Sequence, residues 1–274
     1  MNKKIIIIGK RSNLSICLKS DIENSIIISS NEIKKLENII SKYKEIDIIY
    51  NSSFLTNLLN DPYTDPIIYS NYSFHYLSRF IGIFQRYHEK INSIIYTSSS
   101  SIYGENKFAK ENDEIKITNL YSALKASSEY LLEKYLGDKK INLIYARVFN
   151  MYGGNDRFSV ISKIDNCIKN NKTMYLYNRG NNIRDYIYIN DVVKAYKLIL
   201  ESKFKGKINI STGIGLKVNK IIELIENTYN KKLNIIHKND NGIKISIGCN
   251  DILTNQIKLK KYTFFEDYLK NGFL

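Results

Sequence analysis

Short apolar runs alternate with helical patterns along the first half of the chain, and this alternation constrains the fold more than any other feature. The run Lys4–Ile8 ends in four isoleucines before Gly9, which is typical of a strand buried on both faces of a parallel sheet. Further strands are predicted at Ser25–Ser29, Asp47–Tyr50, Ser93–Thr97 and Asn142–Val148, and helices at Ser12–Ser20, Asn31–Tyr43, Asn71–Lys90, Tyr121–Tyr135 and Val160–Asn170. Strands that alternate with helices build an α/β fold, so the sequence predicts a doubly wound parallel sheet.

The order of elements becomes looser after residue 150, where the strands are shorter. We expect a core at residues 1–150, to which residues 180–215 return, and a smaller C-terminal lobe at residues 151–274. Pro62 and Pro66 are expected in a loop after the third strand.

Composition excludes several classes of protein. No apolar run approaches the roughly 20 residues of a membrane helix, so no membrane partner is expected. The net charge of +14 comes from basic residues that form no block and no recognisable nucleic-acid motif, so no nucleic acid is expected. Cys17, Cys167 and Cys249 lie far apart without metal-ligand spacing, and there are 3 histidines. We therefore expect reduced thiols, no metal site and a cytoplasmic location.

The strongest local motif is Tyr121-Ser-Ala-Leu-Lys125 on a predicted helix. Residues four apart share one helical face, so the Lys125 ammonium can approach the Tyr121 phenol. A neighbouring cation lowers the pKa of a phenol from its ordinary value of about 10, which makes the group usable as an acid or base near neutral pH. Upstream, the hydroxyl-rich segment Tyr96-Thr-Ser-Ser-Ser-Ser-Ile-Tyr-Gly104 follows a buried strand. Such a position lies in the crevice where parallel sheets bind ligands.

Several segments in this order resemble the extended short-chain dehydrogenases/reductases, a family that includes nucleotide-sugar epimerases, dehydratases and reductases. They are the serine-rich segment, the Tyr121–Lys125 motif, Arg147-Val-Phe-Asn150-Met-Tyr-Gly153, Arg184-Asp-Tyr-Ile-Tyr-Ile-Asn-Asp191-Val and Ile208-Asn-Ile-Ser-Thr-Gly213. The resemblance covers about residues 90–215. It implies a Rossmann-type doubly wound sheet that binds a dinucleotide, with the smaller C-terminal lobe binding the substrate.

The resemblance implies a catalytic group of Ser99, Tyr121 and Lys125. Tyr121 matches the acid/base tyrosine, and Lys125 matches the lysine that lowers the tyrosine pKa and bonds the nicotinamide ribose. Asn150 and Arg184 match residues at the substrate diphosphate, for which a guanidinium fork is well shaped. The substrate-binding residues implied in this way are Ser99, Ser100, Ser101, Tyr121, Asn150 and Arg184. A surface ion pair of Arg184 with Asp185 is the alternative, and Asp191 is expected to be structural.

Ser100 and Ser101 distinguish among the activities of the family. The sugar 4,6-dehydratases carry an Asp-Glu pair at these two positions for the elimination step. Two serines there disfavour dehydration and leave ketone reduction, alcohol oxidation or epimerisation.

The glycine fingerprint of the family is incomplete in this chain. Gly9 is present, but Ser12 and Ser15 replace the second and third glycines, which normally let the backbone approach a pyrophosphate. No aspartate ends the strand Ser25–Ser29, so the carboxylate that usually hydrogen-bonds the ribose of NAD is missing there. Lys10 and Arg11 instead provide cations that can pair with the 2′-phosphate of NADP, with solvated surface charge as the alternative.

The cofactor-binding residues that the resemblance implies, together with the cations beside Gly9, are Gly9, Lys10, Arg11, Ser12, Asn13, Leu14, Asn51, Ser52, Ser53, Thr97, Ser98, Tyr121 and Lys125. The leading hypothesis is an NADP(H)-dependent reductase acting on a keto group of a nucleotide-activated sugar. An NAD(H)-dependent nucleotide-sugar epimerase is the alternative, and a non-catalytic Rossmann-fold binding protein is the third candidate. The resemblance also implies a homodimer through the helices near residues 71–90 and 121–135.

Overall fold

A computed structural model of the chain describes residues 3–51, 65–239 and 242–272. They form two compact units that interleave along the sequence. The first unit contains Met1–Ile102, Ile117–Arg147 and Tyr196–Ile208, and the second contains Tyr103–Lys116, Val148–Ala195 and Asn209–Leu274.

The strands are β1 (Lys3–Ile8), β2 (Ser25–Ile28), β3 (Glu45–Tyr50), β4 (Ile91–Ser99), β5 (Asn106–Ala109), β6 (Asn142–Val148), β7 (Asn150–Tyr152), β8 (Met174–Tyr177), β9 (Ile183–Tyr188), β10 (Gly206–Ile210), β11 (Gly215–Lys217), β12 (Ile235–Lys238) and β13 (Ile245–Gly248). The helices are α1 (Asn13–Asp21), α2 (Lys35–Ile40), α3 (Pro66–Tyr87), α4 (Leu120–Leu136), α5 (Val160–Lys169), α6 (Ile189–Glu201), α7 (Val218–Tyr229), α8 (Asp251–Asn255) and α9 (Phe265–Lys270).

A six-stranded sheet with the order β10-β6-β4-β3-β1-β2 organises the first unit. The strands β2, β1, β3 and β4 pair in parallel, with Ile48 of β3 opposite Ile6 of β1 and Ile94 of β4. These three isoleucines are fully buried, as expected where helices cover a parallel sheet. The expected α/β fold with a Rossmann-type parallel sheet is confirmed.

Two helix starts differ from the sequence prediction. The helix expected from Asn71 begins at Pro66, because Asp65 accepts a hydrogen bond from the backbone amide of Ile67 and proline fits the first helical turn. Pro66 is therefore not in a loop, and Pro62 lies outside the described residues. The helix expected to start after Asn31 is a 3₁₀ turn at Ser30–Glu32, which Ser29 and Glu32 close as a capping box, and α2 follows as a separate helix.

The second unit contains a sheet with the order β11-β9-β13-β5, with β7 also paired to β9, and a two-stranded sheet of β12 and β8. Asp185 of β9 is fully buried at its centre. Its carboxylate accepts hydrogen bonds from the amides of Thr212, Gly213 and Gly248 and from the Thr212 hydroxyl. The alternative of a surface ion pair between Arg184 and Asp185 is therefore wrong. Through these hydrogen bonds, Asp185 instead holds the loop after β10 and the end of β13 against β9.

Cys17, Cys167 and Cys249 are free thiols. Within residues 3–51, 65–239 and 242–272, no helix combines the length and apolar character needed to cross a membrane.

Candidate active site

The turn after β1 brings the backbone to the carboxyl end of the sheet. Gly9 has φ of 118°, a conformation that side chains other than glycine rarely adopt, so this first glycine is required by the backbone. The amides of Gly9 and Lys10 both donate to the Ile28 carbonyl, at 2.9 and 3.1 Å, and the Ser12 amide donates to the Gly9 carbonyl at 2.9 Å. The turn is therefore fixed to β2 without the two missing glycines.

Asn51, at the end of β3, connects the two serines that replace glycines. Its side-chain amide donates to the Ser12 hydroxyl at 2.9 Å and to the Ser15 hydroxyl at 2.8 Å. Ser12 is the N-cap of α1, yet its side chain makes no capping hydrogen bond. The first backbone amides of α1 are those of Asn13 and Leu14. They have the orientation that lets a helix N-terminus bind an anion. Ser52 and Ser53 lie outside the described residues.

Lys10 and Arg11 are exposed beside this turn. The Arg11 guanidinium lies 3.4 Å from the Tyr72 hydroxyl of α3. A carboxylate that the sequence argument missed lies at the end of β2, because Glu32 accepts from the Ser29 amide at 3.1 Å and from Lys35 at 2.5 Å. Lys35, the Ser29 amide and, more weakly, Lys10 lower the pKa of Glu32. The Ser-x-x-Glu spacing of a capping box was the signal that could have found it.

The end of β4 presents three hydroxyl residues in succession. The Thr97 hydroxyl pairs with the Tyr196 hydroxyl of α6 at 2.9 Å. Ser98 is buried, and its hydroxyl has no hydrogen-bond partner among the described residues. Because a buried polar group without a partner costs about 1–3 kcal/mol, such a group marks a place where a ligand can supply the missing bond.

Ser99 lies next along the strand and interacts with the catalytic candidate Tyr121. The Ser99 hydroxyl accepts from the Ser101 amide at 3.2 Å and also hydrogen-bonds Tyr121. Burial raises the pKa of Tyr121, and the Ser99 hydrogen bond opposes this rise. The expected lowering of this pKa by Lys125 is therefore not found, because desolvation outweighs the opposing hydrogen bond.

Lys125 lies one helical turn after Tyr121, as the spacing predicted. It is buried, and its ammonium donates to the Thr97 carbonyl at 2.7 Å. The ammonium is 5.9 Å from the centre of the Tyr121 ring and 5.1 Å from that of Tyr96. Burial lowers the pKa of Lys125 to about 7, and the Glu129 carboxylate opposes this change. The structure therefore brings Ser99, Tyr121 and Lys125 into one group.

Ser100 is buried and Ser101 partly buried beyond the end of β4. The Ser101 hydroxyl has no partner within the described part of the chain. Neither residue is a carboxylate, so the proton-transfer pair required for elimination is absent from these two positions.

Asn150 and Arg184 lie on the neighbouring strands β7 and β9 of the second unit. The Asn150 amide donates to the Asp185 carbonyl at 3.1 Å, and the Arg184 guanidinium donates to the carbonyls of Ile183, Ile243 and Lys244. These carbonyls fix the direction of the guanidinium.

Tyr186 is a polar residue of β9 that the sequence argument did not select. It pairs in register with Asn150, and it lies two residues from Arg184 on the same strand face. Its buried hydroxyl has no partner among the described residues. The signal for it was the two-residue spacing from Arg184. The prediction that Asp191 is structural agrees with its burial and with its bonds from Lys194 and the Thr263 amide.

The residues present fit a dinucleotide in the first unit. The Gly9 turn, the N-terminus of α1 and the buried Ser98 hydroxyl are all suited to contacts with a polar, anionic cofactor. The Ser99–Tyr121–Lys125 group can transfer a proton to or from an oxygen placed near the Tyr121 hydroxyl.

Known proteins are similar to this chain in sequence and in fold. The chain is 32% identical over 199 residues to a dTDP-D-glucose 4,6-dehydratase of Dictyostelium discoideum, covering 66% of this chain and 43% of that protein. It is 30% identical over 243 residues to the dTDP-4-dehydro-6-deoxyglucose reductase of Escherichia coli, covering 81% of this chain and 73% of the reductase. The match thus spans less than half the length of the first relative.

Among solved structures, MoeE5 in complex with UDP-glucuronic acid and NAD superposes with a TM-score of 0.86 at 16% identity, covering 97% of this chain and 96% of MoeE5. This likeness shows the fold. The sequence model described as the NAD dependent epimerase/dehydratase family matches residues 3–215, a range that includes the Gly9 turn, the Ser99–Tyr121–Lys125 group and Arg184. The resemblance in the motifs is confirmed, and the chain belongs to the NAD dependent epimerase/dehydratase family.

Proposed function

We propose that this protein is an NADP(H)-dependent reductase of a keto group on a nucleotide-activated sugar. The observation that carries the proposal is the Tyr121 hydroxyl, which is hydrogen-bonded to Ser99 and lies one helical turn from Lys125. The similarity to the E. coli dTDP-4-dehydro-6-deoxyglucose reductase, which covers 81% of this chain, supports the choice of reduction.

The three residues have separate roles in this reaction. When bound, the nicotinamide supplies the hydride, and the protein supplies orientation and a proton. Ser99 hydrogen-bonds the carbonyl oxygen of the substrate, and Tyr121 donates its proton to the alkoxide as it forms. Lys125 holds the nicotinamide ribose and, when protonated, stabilises the tyrosinate that remains.

Arg184 and Asn150 are proposed to bind the diphosphate of the nucleotide sugar. The guanidinium of Arg184 offers paired N–H donors that match phosphate oxygens. Its fixed direction, set by three backbone carbonyls, supports this role because a preorganised cation loses less entropy on binding. The Tyr186 hydroxyl is available as a further donor on the same strand face.

The preference for NADP(H) rests on Lys10 and Arg11 beside the Gly9 turn. Both are exposed and can pair with a 2′-phosphate. The Glu32 carboxylate favours the second candidate, an NAD(H)-dependent epimerase, because a carboxylate at the end of β2 can bond a ribose hydroxyl and repels a 2′-phosphate. Lys35 partly neutralises this carboxylate, which leaves NADP(H) as the favoured cofactor.

The deciding experiment is a fluorescence titration of the purified protein with NADPH and with NADH. We expect tighter binding of NADPH and a loss of this preference in Arg11→Ala, followed by NADPH consumption when keto-sugar nucleotides are added. NAD that remains bound through purification would replace the reductase with the epimerase. Binding of neither nucleotide would reject both redox functions and leave the non-catalytic Rossmann-fold protein.

A further inference from the structure

A buried ion pair continues the helical face of α4 that carries the catalytic residues. Tyr121, Lys125 and Glu129 follow one another at four-residue spacing, so they occupy one face of the helix. The Glu129 carboxylate accepts two hydrogen bonds from Arg147 of β6, from Nε at 3.1 Å and from Nη2 at 2.7 Å. Arg147 is 0% exposed and Glu129 is 5% exposed.

A pair buried to this extent calls for an explanation. Removing two charges from water costs several kcal/mol for each ion, and well-packed apolar residues often stabilise a protein as much or more. The roles proposed for Ser99, Tyr121 and Lys125 involve neither residue. The pair therefore has to be explained by what its charges do to neighbouring groups.

Lys125 is the neighbour whose charge depends on this pair. Its ammonium faces the Thr97 carbonyl and the Tyr96 ring of β4, and the Tyr121 ring and the Glu129 carboxylate of its own helix. Burial lowers the pKa of Lys125 to about 7, and Glu129 raises it in opposition. Among these groups, Glu129 is the only anion.

We propose that Glu129, held in place by Arg147, is a positioning residue that keeps Lys125 protonated beside Tyr121. The bidentate bond fixes both carboxylate oxygens, so the negative charge stays at a constant distance from the lysine. The role of Lys125 in catalysis rests on the proposed function, whereas its charge can be measured without cofactor or substrate.

The test follows the protonation of Lys125 directly. Protein labelled with ¹³C at the lysine Cε positions is titrated by NMR, and the Lys125 signal is identified by its absence from Lys125→Met. In Glu129→Gln, which keeps the shape and removes the anion, we expect the titration midpoint of Lys125 to fall by about one pH unit or more. A merely structural role would change stability without moving this midpoint.

Glu133→Gln is the matched control. Glu133 lies one turn further along α4, is exposed and accepts a hydrogen bond from the Tyr145 hydroxyl at 2.7 Å. The same chemical change at this position should leave the Lys125 midpoint where it is in the wild type. Equal midpoints in the wild type, Glu129→Gln and Glu133→Gln would overturn the proposal.

Glu129→Gln leaves the Arg147 cation buried without its carboxylate, which can prevent folding. The double variant Glu129→Gln/Arg147→Met removes both charges and serves in that case. The Lys125 midpoint should again lie below that of the wild type, because the carboxylate that raises it is gone. An unchanged midpoint in the folded double variant would also contradict the proposal.

The two proposals can fail separately. If the protein binds no nicotinamide nucleotide but Glu129→Gln moves the Lys125 midpoint, the reductase is rejected and the positioning role of Glu129 stands. If keto-sugar reduction is found, the alkaline limb of its pH–rate profile should move to lower pH in Glu129→Gln and stay in place in Glu133→Gln. Reductase activity with identical profiles in both variants would reject only the positioning role.

Discussion

At the scale of single residues, the buried Lys125 has opposite consequences for chemistry and stability. A protonated lysine beside Tyr121 is useful for proton transfer, but an ammonium withdrawn from water is costly. The folded protein binds this proton with a pKa of about 7, against about 10.5 for a lysine in an unfolded chain. Between these two values the unfolded state binds more protons than the folded state, so stability rises with pH in this range.

Lys125→Met should therefore be more stable than the wild type at pH 7, by about 1 kcal/mol or more. From pH 7 to pH 9 the wild type should gain up to about 2 kcal/mol from this group, and the variant should lack that gain. Urea unfolding at the two pH values measures both quantities. Lys134→Met, an exposed change on the same helix, should follow the wild type, and a variant less stable than the wild type at pH 7 would contradict the prediction.

Tyr121→Phe removes only the hydroxyl that is proposed to donate the proton. We expect keto-sugar reduction to fall by about 10²–10⁴-fold while the dissociation constant for NADPH stays nearly unchanged. Steady-state rates and fluorescence titration separate the two effects. Tyr135→Phe, at an exposed position on the same helix, should keep full activity, and substantial activity in Tyr121→Phe would assign the proton transfer to another group.

Some residues of the candidate site could be predicted from the sequence, and others could not. Tyr121 and Lys125 were predicted together because four-residue spacing on a helix is a local property. The direction of the Tyr121 pKa shift could not be predicted, since it depends on how much of the side chain neighbouring elements bury. Glu32 and Tyr186 were missed because their importance comes from the strand ends and strand pairs beside them, which a single segment does not reveal.

At the scale of elements, hydrogen bonds from Asn51 at the end of β3 hold the two serines that stand where the family has glycines after Gly9. Asn51→Ala removes both hydrogen bonds to Ser12 and Ser15, each worth about 0.5–1.5 kcal/mol. We expect the affinity for the preferred dinucleotide to fall about tenfold, which corresponds to about 1.4 kcal/mol. Isothermal titration calorimetry can measure this loss, with the exposed Asn38→Ala as control, and an unchanged affinity would show that the turn holds its shape without Asn51.

Most elements of the first unit were predictable because each has its own periodic pattern. The strands β1, β3 and β6 each contain a run of three or four apolar residues, and α4 shows apolar residues at helical spacing. In contrast, β5 is only Asn-Lys-Phe-Ala and was not predicted, because its pairing with β13 brings together residues far apart in the sequence. The start of α3 was predicted too late, since Pro66 was interpreted as a loop residue.

At the scale of the whole molecule, exposed aromatic and aliphatic side chains on α3 and α4 support the expected homodimer. Tyr130 is 70% exposed and Ile67 is 67% exposed, and the two helices pack against each other in the first unit. Contiguous patches of exposed apolar side chains mark sites of protein–protein interaction.

Tyr130→Glu should therefore convert a dimer into a monomer, because a charge in such an interface is costly. Size-exclusion chromatography with light scattering measures the mass of the wild type and the variant. Ile16→Glu on α1, where the side chain is 44% exposed, should leave the mass unchanged. A wild type that is monomeric at micromolar concentration would contradict the prediction.

The chain passes between its two compact units several times, leaving the first at Ile102 and again at Arg147 and re-entering it at Ile117 and Tyr196. During synthesis on a ribosome, the six-stranded sheet remains incomplete until β10, its edge strand beside β6, has emerged. The edge of β6 that later pairs with β10 therefore stays unpaired while β7 to β9 are synthesised. An unpaired strand edge is prone to chaperone binding or mispairing. Neither unit can be released intact by one proteolytic cut, so truncation libraries should yield no soluble fragment that ends between residues 147 and 210.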